Sequence, residues 1–284
     1  MTKPTVPVLA RTRAELARAL ADLPGRRGVV MTMGAIHEGH LDLVRAVREV
    51  SDHVVATVFV NPLQFGPTED LAAYPRDLAG DVAKFAAEGV AVVFAPSAAE
   101  MYPRGTLDVR IDPGPVAVPL EGQRRPGHFA GVAAVVTKLL GLTRPAVAAF
   151  GRKDAQQLAV IQALVRDLDL PVEILPVAIR READGLAMSS RNAYLSATER
   201  GQALALSRAL ATARQLAAAG ADAPTIAAQV RAELAQADGV VLDYAEVVDP
   251  ATFGPATTGA ALVLLAARVG TTRLIDNTEI EISA

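Results

Sequence analysis

With 284 residues, the chain has room for one large α/β domain and a smaller second one, each burying its own core. Hydrophobic residues at 51% against 21% charged exclude a disordered chain, and a net charge of -3 argues against the basic footprint that a nucleic-acid backbone demands. The absence of cysteine excludes disulfides, thiolate metal sites and a thioester intermediate, so any acyl group must be carried by something else.

Residues 1–11 contain neither a long apolar run nor a small-residue cleavage site, and no stretch approaches the roughly 20 apolar residues that span a bilayer. A soluble cytoplasmic protein without a membrane partner is the expectation. Thr12-Arg13-Ala14-Glu15 has capping-box spacing and opens a helix expected to run to Leu23. Residues 28–32 and 54–60 are apolar, β-branched runs with a helical pattern between them, which makes one βαβ unit. Buried strands are predicted over 91–95, 146–150 and 172–175, with helices over 77–88, 132–142 and 154–168. Residues 113–115 and 124–127 read as loops.

Such alternation implies an α/β fold: a doubly wound, mainly parallel sheet with its ligands at the carboxyl ends of the strands. After about residue 180 the pattern changes. Ser196-Ala197-Thr198-Glu199 has a second capping-box spacing before an Ala-rich helix to about 219, and Pro224 sits in the first turn of another ending near 237. Three strands follow over 242–248, 260–269 and 273–282. The expectation is a domain at 1–179 and a smaller α+β domain with an antiparallel sheet at 180–284.

The most informative segment is TMGAIHEGH, residues 32–40, between a strand and a helix. Met33, Gly34 and Gly39 let the backbone approach a phosphate, the helix N-terminus offers N–H groups, and His37 and His40 can face one anion. Paired histidines at a helix start also occur as ordinary surface or core groups. A zinc reading lacks a third ligand at convincing spacing, so no metal is assigned.

Gly151-Arg152-Lys153-Asp154 follows the strand ending at Phe150. There Lys153 can neutralise phosphate and Asp154 can accept from ribose hydroxyls, or the segment is simply a charged turn. Met188-Ser189-Ser190-Arg191 gathers two hydroxyls and a guanidinium that suit phosphoryl oxygens, with a polar hinge as the plain alternative. Asn61 and Gln64 follow the second strand, and Gln64 with Gln157 can bind the hydroxyls and carboxylate of a small acid. Residues 120–129 read as a mobile basic loop that either closes over phosphates or is a solvated connection.

In this order, TMGAIHEGH, FVNPLQFGPTEDLAAYPRD, LEGQRRPGHFAGVAAVVTKL, GRKDAQQL and READGLAMSSRNAYLS resemble the signature set of pantothenate synthetases, in the HxGH nucleotidyltransferase group. The resemblance covers 32–196 and is architectural beyond. It implies a Rossmann-like N-terminal domain, a smaller C-terminal domain closing over the ATP site, and a homodimer. It further implies condensation of pantoate with β-alanine through a pantoyl adenylate, using ATP with Mg2+.

By that resemblance His40, His37 and Lys153 are catalytic. Met33, Gly34, His37, Gly39, His40, Gly151, Lys153, Asp154, Arg180, Met188, Ser189, Ser190 and Arg191 bind ATP. Gln64 and Gln157 hold pantoate, Gln64 also borders β-alanine, and Asp81 is a candidate outer contact of Mg2+. Three positions depart from the family pattern: Met31 replaces a common Pro, Arg152 a Glu, and Arg180 an apolar residue whose backbone contacts adenine. Adenylyl transfer to a phosphorylated acceptor and a non-catalytic nucleotide sensor remain alternatives, while tRNA fits poorly with a short chain lacking basic excess.

Overall fold

The computed structural model describes residues 6–66, 71–72 and 74–283. Residues 1–5 of the N-terminal reading, and 67–70 and 73 of the segment FVNPLQFGPTEDLAAYPRD, lie outside the described residues. The chain divides into two compact units, Met1–Arg152 with Val160–Ala178, and Lys153–Ala159 with Ile179–Ala284.

The first unit holds β1 (Val8–Ala10), α1 (Arg13–Ala21), β2 (Arg27–Thr32), α2 (Glu38–Val50), β3 (His53–Val58), α3 (Leu78–Ala87), β4 (Val92–Phe94), α4 (Ala98–Met101), α5 (Glu121–Arg124), α6 (His128–Thr143), β5 (Val147–Gly151) and β6 (Glu173–Val177). The Thr12 hydroxyl accepts from the Glu15 amide while the Glu15 carboxylate returns to the Thr12 amide, so α1 begins where the spacing placed it. It ends at Ala21, two residues before the expected Leu23.

All six strands run parallel in the order β1-β4-β3-β2-β5-β6. Without β1 this is the doubly wound order, with its reversal between β2 and β5, where ligands of such sheets bind. Val30, Ala56, Val93, Val147 and Ala149 pack with Leu41, Val44 and Val47 of α2 and Phe85 of α3. The alternate residues Val29, Val55, Val92 and Ala148 are buried too, as in a sheet covered on both faces. Such near-continuous apolar runs are what made these strands recognisable.

Strand β1 escaped the sequence reading because its three residues are too few to show a period and it sits at the sheet edge beside β4. Two expected loops are also corrected. Residues 115–117 form a 3-10 turn, and α5 occupies part of the supposed basic loop, whose Glu121 and His128 are buried.

The second unit contains α8 (Ala197–Ala218), α9 (Ala223–Gln236), β7 (Val240–Val248), β8 (Gly259–Val269) and β9 (Thr272–Ile282); α7 (Ala155–Asp167) begins in this unit and ends in the first. Ser196 and Glu199 cap α8 reciprocally, and the Asp222 carboxylate caps α9 at the Thr225 amide, with Pro224 in the first turn. The three strands form an antiparallel sheet in the order β7-β8-β9. Ala203, Ala209 and Ala213 of α8 lie with Ile226, Val230 and Leu234 of α9 against Val263 and Leu265 of β8. The small alanines let these layers approach closely enough to exclude water without any large aromatic.

Candidate active site

The loop after β2 is built by hydrogen bonds its own sequence does not supply. The Thr32 hydroxyl donates to the Thr57 carbonyl at 2.7 Å and accepts the Gly34 amide at 3.3 Å, while the Phe59 amide donates to the Thr32 carbonyl at 3.0 Å. Gly34 turns with φ +91° and Ala35 follows with φ +52°, a left-handed conformation that costs a non-glycine residue about 1–2 kcal/mol.

Asp81 of α3 holds that strained turn. Its carboxylate accepts the Ala35 amide at 3.0 Å and the Ile36 amide at 2.8 Å, and the Lys84 ammonium donates to the Ile36 carbonyl at 2.6 Å. Asp81 is 1% exposed. Both its oxygens are engaged on the backbone, so its structural place is beneath the loop.

The turn delivers His37 and His40 to the start of α2. Their rings stack at 4.0 Å between centroids with 23° between planes. The His37 carbonyl accepts the His40 amide at 2.9 Å, and the His37 amide donates to His40 Nδ1 at 3.4 Å. A backbone N–H only donates, so His40 Nδ1 is the acceptor in this contact, which leaves Nε2 as the ring's donor. The arrangement offers an imidazole N–H donor at a helix N-terminus, where negative charge is favoured. Met33 and Gly34 lie at the carboxyl end of β2, next to β5, whose last residue is Gly151.

Beyond β3, the 3-10 turn Pro62–Gln64 begins at Asn61, whose side chain accepts the Leu63 amide. Gln64 is buried, receives Asn61 Nδ2 on Oε1 at 3.1 Å, and directs Nε2 to Met33 Sδ at 3.1 Å. The structure therefore brings together Met33 and Gln64, which the sequence reading assigned separately to nucleotide and acid. Helix α6 closes in behind. A Cβ on Gly131 would stand 2.1 Å from the Leu63 carbonyl oxygen, so only glycine lets this helix reach the turn. His128 Nδ1 donates to the Gln64 carbonyl at 2.8 Å, and Arg125 donates to His128 Nε2 at 3.1 Å. The segment read either as a phosphate cover or as a solvated connection thus also supports Gln64 from its backbone side.

In the second unit, Lys153 and Asp154 lie in the turn before α7, with Gln157 in the first turns of the helix. The Lys153 carbonyl accepts Asn277 Nδ2 of β9 at 2.8 Å. Next to Asn277, Asp276 is 3% exposed and pairs with both ends of the Arg181 guanidinium, at 2.7 and 3.0 Å. Arg181 also donates to the Gly185 carbonyl at 3.1 Å, and the Met188 amide donates to the Arg180 carbonyl at 2.9 Å. The Arg180 backbone is thus tied to the segment that begins at Met188. Ser189 caps the 3-10 turn Ser190–Tyr194 by accepting the Arg191 amide, and Asn192 donates to Glu182 at 2.6 Å. The turn bearing Lys153 is thus anchored on Asn277, and Arg181, beside the Arg180 carbonyl that holds Met188, is anchored on Asp276.

The supports that the sequence reading did not single out include Lys84, Asp276 and Asn277, which carry no motif of their own, and His128 and Gly131, which lie in a signature segment but act through partners distant in sequence. Among the described residues, no helix is long and apolar enough to cross a membrane.

Residues 8–279 match the family model described as pantoate-beta-alanine ligase. The chain belongs to that family. As a pantoate–β-alanine ligase it is an enzyme of pantothenate synthesis, which sets aside the nucleotide-sensor alternative. It is 52% identical over 276 residues to a pantothenate synthetase of Salinispora arenicola, covering 97% of this chain and 98% of the relative. The crystal structure of pantothenate synthetase from Thermus thermophilus superposes with a TM-score of 0.91 at 44% identity, covering 98% and 100% of the two chains. That of the Francisella tularensis ligase, complexed with βγ-ATP and β-alanine, gives 0.81 at 32% identity, covering 96% and 97%.

Proposed function

We propose that the chain condenses (R)-pantoate with β-alanine at the expense of MgATP, through a pantoyl adenylate. A pantoate carboxylate oxygen attacks the α-phosphorus and pyrophosphate leaves. The neutral amine of β-alanine then attacks the acyl carbonyl, the C–O bond to AMP breaks, and the nitrogen gives up a proton. The products are pantothenate, AMP and pyrophosphate. Mg2+ enters with the nucleotide as a hard cation held by phosphates and water.

The observation that carries this reading is the stacked His37–His40 pair at the start of α2, on the loop that Asp81 buttresses. Phosphoryl transfer asks mainly for positioning and charge stabilisation, which fixed donors supply without reorganisation. In this reading His40 and His37 act on the phosphates, with Met33, Gly34, Gly39 and Gly151 giving close backbone approach. Lys153, Ser189, Ser190 and Arg191 supply donors to phosphoryl oxygens, with Met188 in the same closing segment, Asp154 takes the ribose, and Arg180 the base side. Gln64 and Gln157 hold pantoate, and Gln64 borders β-alanine. The bound ligands of the Francisella relative support ATP and β-alanine as substrates.

The same reading includes a smaller domain from residue 180, a homodimer and a cytoplasmic location, the second checked by sedimentation equilibrium. The test of the reaction is product analysis with MgATP, pantoate and β-alanine, omitting each in turn. Equimolar pantothenate, AMP and pyrophosphate are expected, with pyrophosphate release dependent on pantoate. A dinucleotide-like product, or pyrophosphate released without pantoate, would overturn the acyl-adenylate route.

A further inference from the structure

The orientation of the Gln64 amide is set outside the residues assigned to substrate. Tyr102 follows α4 and is 3% exposed, with its ring tilted against Phe59 at 6.0 Å and the Lys138 ammonium 5.5 Å from the ring centroid. Its hydroxyl donates to Asn61 Oδ1 at 2.8 Å, and the Leu63 amide donates to the same atom at 3.3 Å. An N–H pointing at that position demands the amide oxygen there. The opposite end agrees, because the Gly131 carbonyl, which only accepts, lies 3.1 Å from Asn61 Nδ2.

With Asn61 fixed, the remaining hydrogen of its Nδ2 goes to Gln64 Oε1 at 3.1 Å. The Gln64 oxygen is thereby turned toward Asn61, and its NH2 is the end that meets Met33 Sδ at 3.1 Å. A thioether is a weak acceptor, so this donor is readily exchanged for a ligand oxygen.

We propose that Tyr102 is a positioning residue for the ligation, holding the Gln64 amide through Asn61 with its NH2 presented to substrate. Gln64 then takes the hydroxyl or carboxylate oxygens of a hydroxy acid, or the carboxylate of an amino acid, and turns away an ammonium group. The proposal rests on the reading of Gln64 as a pantoate contact. Burial pushes the Tyr102 phenol up to about 12, so the hydroxyl that starts the relay stays protonated across the working pH range.

The test is steady-state kinetics of Tyr102→Phe, Gln64→Ala and the double variant, varying MgATP, pantoate and β-alanine separately. Tyr102→Phe keeps the ring and removes one donor. Its kcat/KM for pantoate should fall about tenfold, mostly through KM, with KM for ATP unchanged. In the Gln64→Ala background the same substitution should have no further effect. An unchanged pantoate KM in Tyr102→Phe, an equal loss in both backgrounds, or a loss confined to kcat would overturn the relay.

Full kcat/KM for pantoate in Gln64→Ala would instead overturn the reading of Gln64 itself. Should Tyr102→Phe fail to fold, Asn61→Asp provides the second measurement, because it keeps both acceptor contacts and abolishes the donations to Gln64 and to the Gly131 carbonyl. A selective rise in pantoate KM is expected there too, and an unchanged value would overturn the proposal.

Discussion

Asn277 donates its side-chain amide to the carbonyl of Lys153 across 124 positions of sequence, fastening the turn before α7 to strand β9. The bond is nearly closed to water, Asn277 being 4% exposed. Asn277→Ala leaves a part-buried carbonyl without this donor, which costs about 1 kcal/mol. We expect a lower melting temperature together with weaker ATP binding, read by scanning calorimetry and by titration with a non-hydrolysable ATP analogue. Unaltered ATP affinity in a folded Asn277→Ala protein would separate this anchor from the nucleotide role of Lys153.

His40→Ala removes a donor and the acceptor of the His37 amide but keeps the Asp81 and Lys84 contacts that shape the loop, since these go to backbone atoms of Ala35 and Ile36. A preorganised donor to developing charge is worth about 3 kcal/mol, or roughly two orders of magnitude in turnover. Pyrophosphate release should fall by that factor while the thermal midpoint stays put. A His40→Ala enzyme with wild-type turnover would remove the histidine from the chemistry.

Asp81→Asn preserves shape but replaces one acceptor by an NH2 group. One of the Ala35 and Ile36 amides then faces a donor, and the strained Ala35 loses a restraint, so a destabilisation of about 2 kcal/mol is expected. ATP affinity should fall with it, because the loop that carries His37 and His40 relaxes. Equilibrium unfolding in urea measures the first effect and calorimetric titration the second.

Alkali addresses Tyr102. Its phenol is pushed up to about 12 by burial, whereas a tyrosine in an unfolded chain titrates near 10. Protonated phenol therefore stabilises the fold fully below pH about 10, and that contribution drains away as the pH rises toward 12. Across that window the wild-type protein should lose stability more steeply than Tyr102→Phe, followed by circular dichroism at a fixed urea concentration.

The sheet and its helices were legible in the sequence because burial on both faces forces long apolar runs at β2, β3 and β5, and because Thr12, Ser196 and Glu199 advertise helix starts within a few residues. The histidine loop was legible for a similar reason, as its residues are contiguous. Its supports were not. Asp81 lies 45 positions from Ile36 and His128 lies 64 from Gln64, and such pairings leave no period or spacing to read. The stretch 120–129 left a phosphate cover and a solvated connection open for a related cause: its charges do not reveal that the folded chain turns Arg125 and His128 onto the Gln64 carbonyl.

The approach of Gly131 to Leu63 makes one boundary of the substrate region out of main chain. At Gly131 the helix backbone faces the Leu63 carbonyl directly, with no side chain on the helix at that position to trim. A redesign aimed at bulkier acids therefore gains nothing from shortening residues there, and must instead re-lay the turn itself or seek room against another wall.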